Sequence, residues 1–149
     1  MTVVRRRTAA TPDAVFAVLA DGWRYADWVV GAKRIRAVDD GWPAPGTRFH
    51  HKVGVGPVEI KDSSVCEAVE PGRSIELRVK AWPAGVARVE VVLEPTADGG
   101  TEVTMEEHPT EGFARTFDNP LQRAALKIRN VESLRRLARI AEKGVRQPS

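Results

Sequence analysis

Two side chains in this sequence are of types that move protons and stand where strand alternation turns them inward. In the stretch Thr47 to Val55, His51 alternates with Phe49, Val53 and Val55, while His50 and Lys52 point the other way. In Thr101 to His108, Glu107 alternates with Val103 and Met105, while Glu106 and His108 point away. An imidazole that titrates near neutrality can act as a general base, and a carboxylate can orient or protonate alongside it. The bland alternative is that both lie at sheet ends, in water, and do nothing. Asp62 has the parity of Val58 and Ile60, unless a bulge near Ser63-Ser64 reverses it.

Other chemistries find less support. His50 and His51 are adjacent and so project to opposite faces of a strand, and Cys66 has no partner at ligand spacing, so no metal is expected. No cofactor is expected either: there is no Gly-rich phosphate loop, no nucleophile-elbow pattern and no supported Ser/His/Asp constellation. Glu106 and Glu107 are paired in sequence only, because alternation separates them, which removes a glycosidase reading. The single cysteine excludes an internal disulfide framework and reads as a small buried hydrophobe, with a reactive thiol as the alternative.

The elements that must hold His51 and Glu107 are strands. From Ala32 to His108 the hydrophobic period is 2, and Lys33–Val38, Thr47–Val55, Val58–Glu70, Ser74–Trp82, Val86–Pro95 and Thr101–His108 are separated by turn residues. Gly56-Pro57, Pro71-Gly72, Pro83-Ala84-Gly85 and Asp98-Gly99-Gly100 are the breaks, and links this short predict an antiparallel meander. Ahead of it, Val3 to Ala10 is a half-buried strand and Thr11-Pro12-Asp13 opens a helix that ends at Asp21-Gly22. A second short helix carries Trp23, Tyr25 and Trp28, either as core packing or as a stacking surface.

The only long helical pattern is the last, about 119–144. Asn119 caps it, Pro120 takes the first position, Gln122 stands where a capping-box partner reaches back, and Gly144 offers the stop ahead of Pro148. Its apolar stripe changes phase. Val131, Leu134, Leu137, Ala138 and Ala141 lie on one side, but Leu121, Ala124, Ala125 and Ile128 lie nearly opposite. Two readings stand: a bend near Asn130 that brings both apolar faces to one core, or a straight helix that turns Arg123, Lys127 and Asn130 inward. Asn130 could equally be a satisfied core asparagine.

At 149 residues, 42% hydrophobic and 29% charged, the chain is expected to form one domain, 1–149, with a single core. No apolar run approaches the roughly 20 residues of a membrane span and no leader pattern is present, so a cytoplasmic protein without integral membrane association is expected. The net charge of +3 is uneven, with eight Lys or Arg against two Glu after Asn119. Such a face either is simply solvated or meets phosphates or an anionic membrane surface. Aromatic residues do not interleave with these charges, so nucleic acid is not an expected partner.

The order strand, two short helices, six strands, long helix resembles the START-like or SRPBCC superfamily. This is the helix-grip fold of birch-pollen-allergen proteins, lipid-transfer START domains and polyketide cyclase/dehydrase-like proteins. The resemblance rests on Thr11-Pro12-Asp13-Ala14-Val15-Phe16, the Trp23 to Trp28 segment, Pro45-Gly46-Thr47, Val69-Glu70-Pro71, Gly99-Gly100-Thr101 and Arg129-Asn130-Val131-Glu132-Ser133-Leu134. It implies an α+β fold in which a curved seven-stranded antiparallel sheet wraps the C-terminal helix, and a cavity between them for a hydrophobic or aromatic small molecule, polyketide- or lipid-like. The lining it implies is Trp28, Phe49, His51, Ile60, Leu77, Val79, Val91, Met105, Glu107, Lys127, Asn130, Val131 and Leu134. Three functions stand as expectations: a carrier without chemistry, an aromatase/cyclase or dehydratase using His51 and Glu107, or an association module that pairs a homodimer through Leu121, Ala124, Ala125 and Ile128 and meets an acidic partner through its basic face.

Overall fold

The computed structural model of the protein describes residues 1–55, 57–81, 85–111 and 119–146. Seven strands, β1 (Thr2–Thr8), β2 (Ala32–Val38), β3 (Arg48–Val55), β4 (Val58–Glu70), β5 (Ser74–Ala81), β6 (Gly85–Pro95) and β7 (Thr101–Glu111), form one antiparallel sheet in the order β1-β7-β6-β5-β4-β3-β2. The meander read from the turn residues runs unbroken from β2 to β7, and β1 adds at the far edge of β7. Between β1 and β2 stand α1 (Pro12–Leu19), a turn of 3-10 helix (Gly22–Arg24) and the single-turn α2 (Tyr25–Trp28). The final element is α3 (Pro120–Arg146). Trp82, Pro83 and Ala84, together with Gly56 and Pro148, lie outside the described residues.

Local chemistry explains the joints. Thr11 caps α1 by accepting from the Ala14 N–H at 3.2 Å, and Pro12 occupies the first position. Gly100 permits β7 to start hard against β1, because a Cβ there would come within 2.3 Å of the Thr8 carbonyl oxygen. Asn119 Oδ1 accepts from the Gln122 N–H at 2.8 Å, as a cap should. The reciprocal half of the capping box is missing: Gln122 Oε1 is buried without a partner among the described residues. Nor does Gly144 stop the helix, which runs on to Arg146.

Register places the inward residues in rows. Thr2, Glu107, Val89, Leu77 and Cys66 face one another in succession across five strands. Val4, Met105, Val91, Ile75 and Val69 make the next row. Cys66 and Val69 have opposite parity, so both can face inward only because of an irregularity between Cys66 and Ala68. The reversal considered for Ser63-Ser64 therefore comes later in β4, and Asp62 keeps the face of its partner His51.

Helix α3 packs chiefly on β1, α1 and α2. Asn130, Ser133, Leu134, Leu137, Ala138 and Ala141 are buried along it. Ser133 Oγ accepts from the Val30 N–H at 3.1 Å, which ties the exit of α2 to the helix. Neither reading of the phase change holds whole. The helix is uninterrupted, and Leu121 and Ile128 stay outside at 81% and 71% exposure, so its two apolar faces do not share a core. Asn130 turns inward as the straight-helix reading requires, yet Arg123 and Lys127, on Asn130's side of the helix, remain exposed.

Candidate functional site

The two proton-moving residues are both buried and lie on strands that are not neighbours. Strands β4, β5 and β6 stand between His51 and Glu107. Four interstrand spacings make about 19 Å along the sheet. Strand order thus sets the two apart along the sheet, a quantity that strand parity does not contain.

Glu107 is fully engaged. Arg129 Nη2 donates to both of its carboxylate oxygens, at 2.7 and 2.9 Å, and Asn130 Nδ2 donates to Oε1 at 2.8 Å. Arg129 Nε also donates to Asn130 Oδ1 at 3.3 Å, closing the three side chains into a ring. The carboxylate is paired, bonded and buried, so desolvation is met and the ring fastens mid-helix to β7. Arg129 is the residue the sequence reading missed. Its signal was the phase change itself: where the stripe turns, the side chain beside Asn130 faces β7 and supplies the cation that an inward Glu107 requires.

His51 is engaged on one side only. Its Nε2–H donates to the Lys80 carbonyl at 3.1 Å, while Nδ1 is buried and has no partner among the described residues. A carbonyl can only accept, so Nε2 carries the proton and, in the neutral ring, Nδ1 presents a lone pair. Burial pushes the imidazole below its ordinary 6.5, outweighing the opposing Lys80 carbonyl and Asp62 carboxylate. It is the neutral tautomer at physiological pH. The last β4–β5 pair is Ser64 with Val79. Beyond it the two strands part, which is what lets a β3 side chain reach a β5 carbonyl across β4.

An aromatic group packs beside it. The Phe49 ring lies 5.5 Å from His51, 4.4 Å from Tyr25 and 5.1 Å from Trp42, and Tyr25 lies 5.0 Å from Trp28. Tyr25 donates its hydroxyl to the Leu19 carbonyl at 2.9 Å, and burial raises its pKa far above the usual phenol range. The Cys66 thiol is likewise pushed up, to about 11, by burial, which removes the reactive reading. Three further buried polar atoms in this region, Ser64 Oγ, Trp28 Nε1 and Trp42 Nε1, lack partners among the described residues.

Of the other lining residues, Trp28, Phe49, Leu77, Val91, Met105 and Leu134 are core, and Ile60 and Val79 are half-buried. Lys127 and Val131 are exposed, which corrects their expected place: the inward-facing stripe has not yet begun at Val131, and the helix stands clear of the core at Lys127. Trp23 is also outside, at 58% exposure. Two surface depressions lie elsewhere, one on the outer face of β5 to β7 around Glu76, Glu90 and Glu106, the other between the 3-10 turn and the loop at Trp42. No group of three or more His, Cys, Asp or Glu among the described residues is placed to hold a metal ion.

A family profile described as polyketide cyclase / dehydrase and lipid transport matches residues 1–142. The chain belongs to this family. Solved structures agree on the family's fold. The Zhui aromatase/cyclase from Streptomyces sp. R1128 is 21% identical, with 97% of this chain and 94% of that one covered and a TM-score of 0.71. A protein from Mesorhizobium loti is 22% identical over 95% of this chain and 96% of its own, with a TM-score of 0.67. Ara h 8.0201 is 13% identical over 95% and 96%, with a TM-score of 0.68. These likenesses establish the helix-grip fold. A comparison with curated proteins finds no match.

Proposed function

We propose that this family member holds an apolar or aromatic small molecule that carries a hydroxyl group, at the end of the sheet where His51 lies. The observation that carries this reading is the buried Nδ1 lone pair with no partner among the described residues. A buried acceptor of this kind costs about 1–3 kcal/mol when unmet, so a ligand hydroxyl donating to it recovers that amount and an isostere without the hydroxyl does not. The aromatic group supplies the apolar wall, and Trp28 Nε1 offers a donor for a ligand oxygen. A polyketide-like molecule has both functions.

A second reading rests on the same atom. A neutral imidazole with a free Nδ1 can also take a proton, as a cyclase or dehydratase step requires, and the Zhui neighbour is named as an aromatase/cyclase. Glu107 has no part in it, being held by Arg129 and Asn130. The carrier reading needs only the acceptor, and it stands first.

The test is a pair of ligands that differ in one group. Calorimetric titration with 2-naphthol and 2-methylnaphthalene should show the naphthol bound about tenfold more tightly, and His51→Leu should abolish that preference while keeping the methylnaphthalene affinity. Equal affinities in the wild-type protein would overturn the reading.

A further inference from the structure

On the inward face of the sheet, two buried polar side chains have an atom without a partner among the described residues: His51 at Nδ1 and Ser64 at Oγ. Ser64 is wholly buried. Serine is seldom so, and a hydroxyl taken out of water without a bond carries a cost that nothing in the fold offsets. Register sets it beside the imidazole. His51 faces Asp62 and Phe49 faces Ser64 across β3 and β4, so Ser64 is the diagonal neighbour of His51 on one face. The ring leans further that way, because Nε2 reaches the Lys80 carbonyl, one residue beyond Val79, the partner of Ser64 on β5. Asp62, also on this face, accepts from the Ser63 N–H at 2.9 Å and bonds neither unmet atom. Ser64 holds the last rung of the β4–β5 ladder, and the inward side chains around the opening, Ile60 and Val79, are only half-buried.

We propose that Ser64 is the second polar contact of the ligand, and that the site thereby selects a molecule with two oxygens on neighbouring carbons, the first of them a hydroxyl. This rests on the reading of His51 as a ligand contact. His51 Nδ1 only accepts, so the first oxygen must bring the proton. A hydroxyl that has given its proton to Nδ1 can offer Ser64 an acceptor and nothing more. Ser64 has a proton to donate and lone pairs to fill, and a second ligand hydroxyl next to the first meets both needs. Phe49, which faces Ser64 across the strands and has its ring 5.5 Å from His51, supplies the surface on which a flat ring carrying both oxygens packs. Ser64 then sets specificity: a ligand with one oxygen leaves its hydroxyl half met, and a ligand with two meets it in full.

The experiment extends the calorimetric titration to 2,3-dihydroxynaphthalene and 2,6-dihydroxynaphthalene. The 2,3 compound should bind the wild-type protein about fivefold more tightly than 2-naphthol. The 2,6 compound, whose second hydroxyl lies at the far end of the ring system, should bind no more tightly than 2-naphthol. Ser64→Ala should remove the fivefold step and leave the preference for 2-naphthol over 2-methylnaphthalene as it was. Without ligand, the melting temperature of this variant should not fall, because the hydroxyl has no bond to lose. A fall of several degrees would mark Ser64 as a structural residue and overturn the proposal, as would a 2,3-dihydroxynaphthalene gain that survives in Ser64→Ala. Wild-type protein that prefers 2-naphthol to 2-methylnaphthalene yet gains nothing from the second hydroxyl would overturn the role of Ser64 alone. Wild-type protein without the 2-naphthol preference would overturn the reading of His51 as well.

Discussion

The two halves of α3 are one continuous helix with opposite habits. After Asn130 the residues Leu134, Leu137, Ala138 and Ala141 are buried against β1, α1 and α2. Before it, large apolar side chains of the same chemical types stand in water. The boundary is the ring of Glu107, Arg129 and Asn130. A helix held there and beyond keeps its place without burying Leu121 or Ile128. Hydrophobicity alone does not say which half is core; what lies opposite decides it.

The largest expected effect falls on the packed half. Leu137→Ala should lower unfolding free energy by about 3 kcal/mol, against less than about 0.5 kcal/mol for Ile128→Ala, measured by urea titration. Similar losses at both positions would erase the comparison. Next comes the boundary. Glu107→Gln should cost about 2 kcal/mol, since Arg129 is partly solvated and Asn130 keeps one partner. Hydrogen exchange should quicken in 120–130 more than in 134–142, and a uniform increase would mean that the ring is not what separates the halves.

A smaller effect sharpens the contrast between the two buried titratable groups. His51 has a depressed folded-state pKa, so between that value and its ordinary 6.5 the unfolded chain binds more protons than the folded one. Stability is therefore complete above about 6.5 and declines as pH falls below it. The melting temperature of the wild type should drop more between pH 7 and pH 5 than that of His51→Phe, and parallel profiles would show that burial does not hold the ring neutral. The least effect belongs to Glu132. Its carboxyl is held down to about 2 by Arg135 and Arg136, but all three side chains are partly solvated, and Glu132→Gln at neutral pH and ordinary salt should leave the melting temperature where it was.

Much of this architecture was legible because it is periodic. Alternation placed His51 and Glu107 inward, and Gly, Pro and Asp at each link ordered the meander. Cap residues located both long-range helix starts, Thr11 and Asn119. What periodicity carries is which face a side chain takes, because that depends on backbone geometry within a few residues. Separation across a sheet depends instead on strand order and on every intervening residue. So the sequence by itself determined the fold, the inward face of His51 and Glu107, and the phase break in α3. Only the tertiary structure decided that those two residues are strands apart, that Glu107 belongs to Arg129 and Asn130, that His51 keeps one unshared lone pair, and that Leu121 and Ile128 have no core to enter.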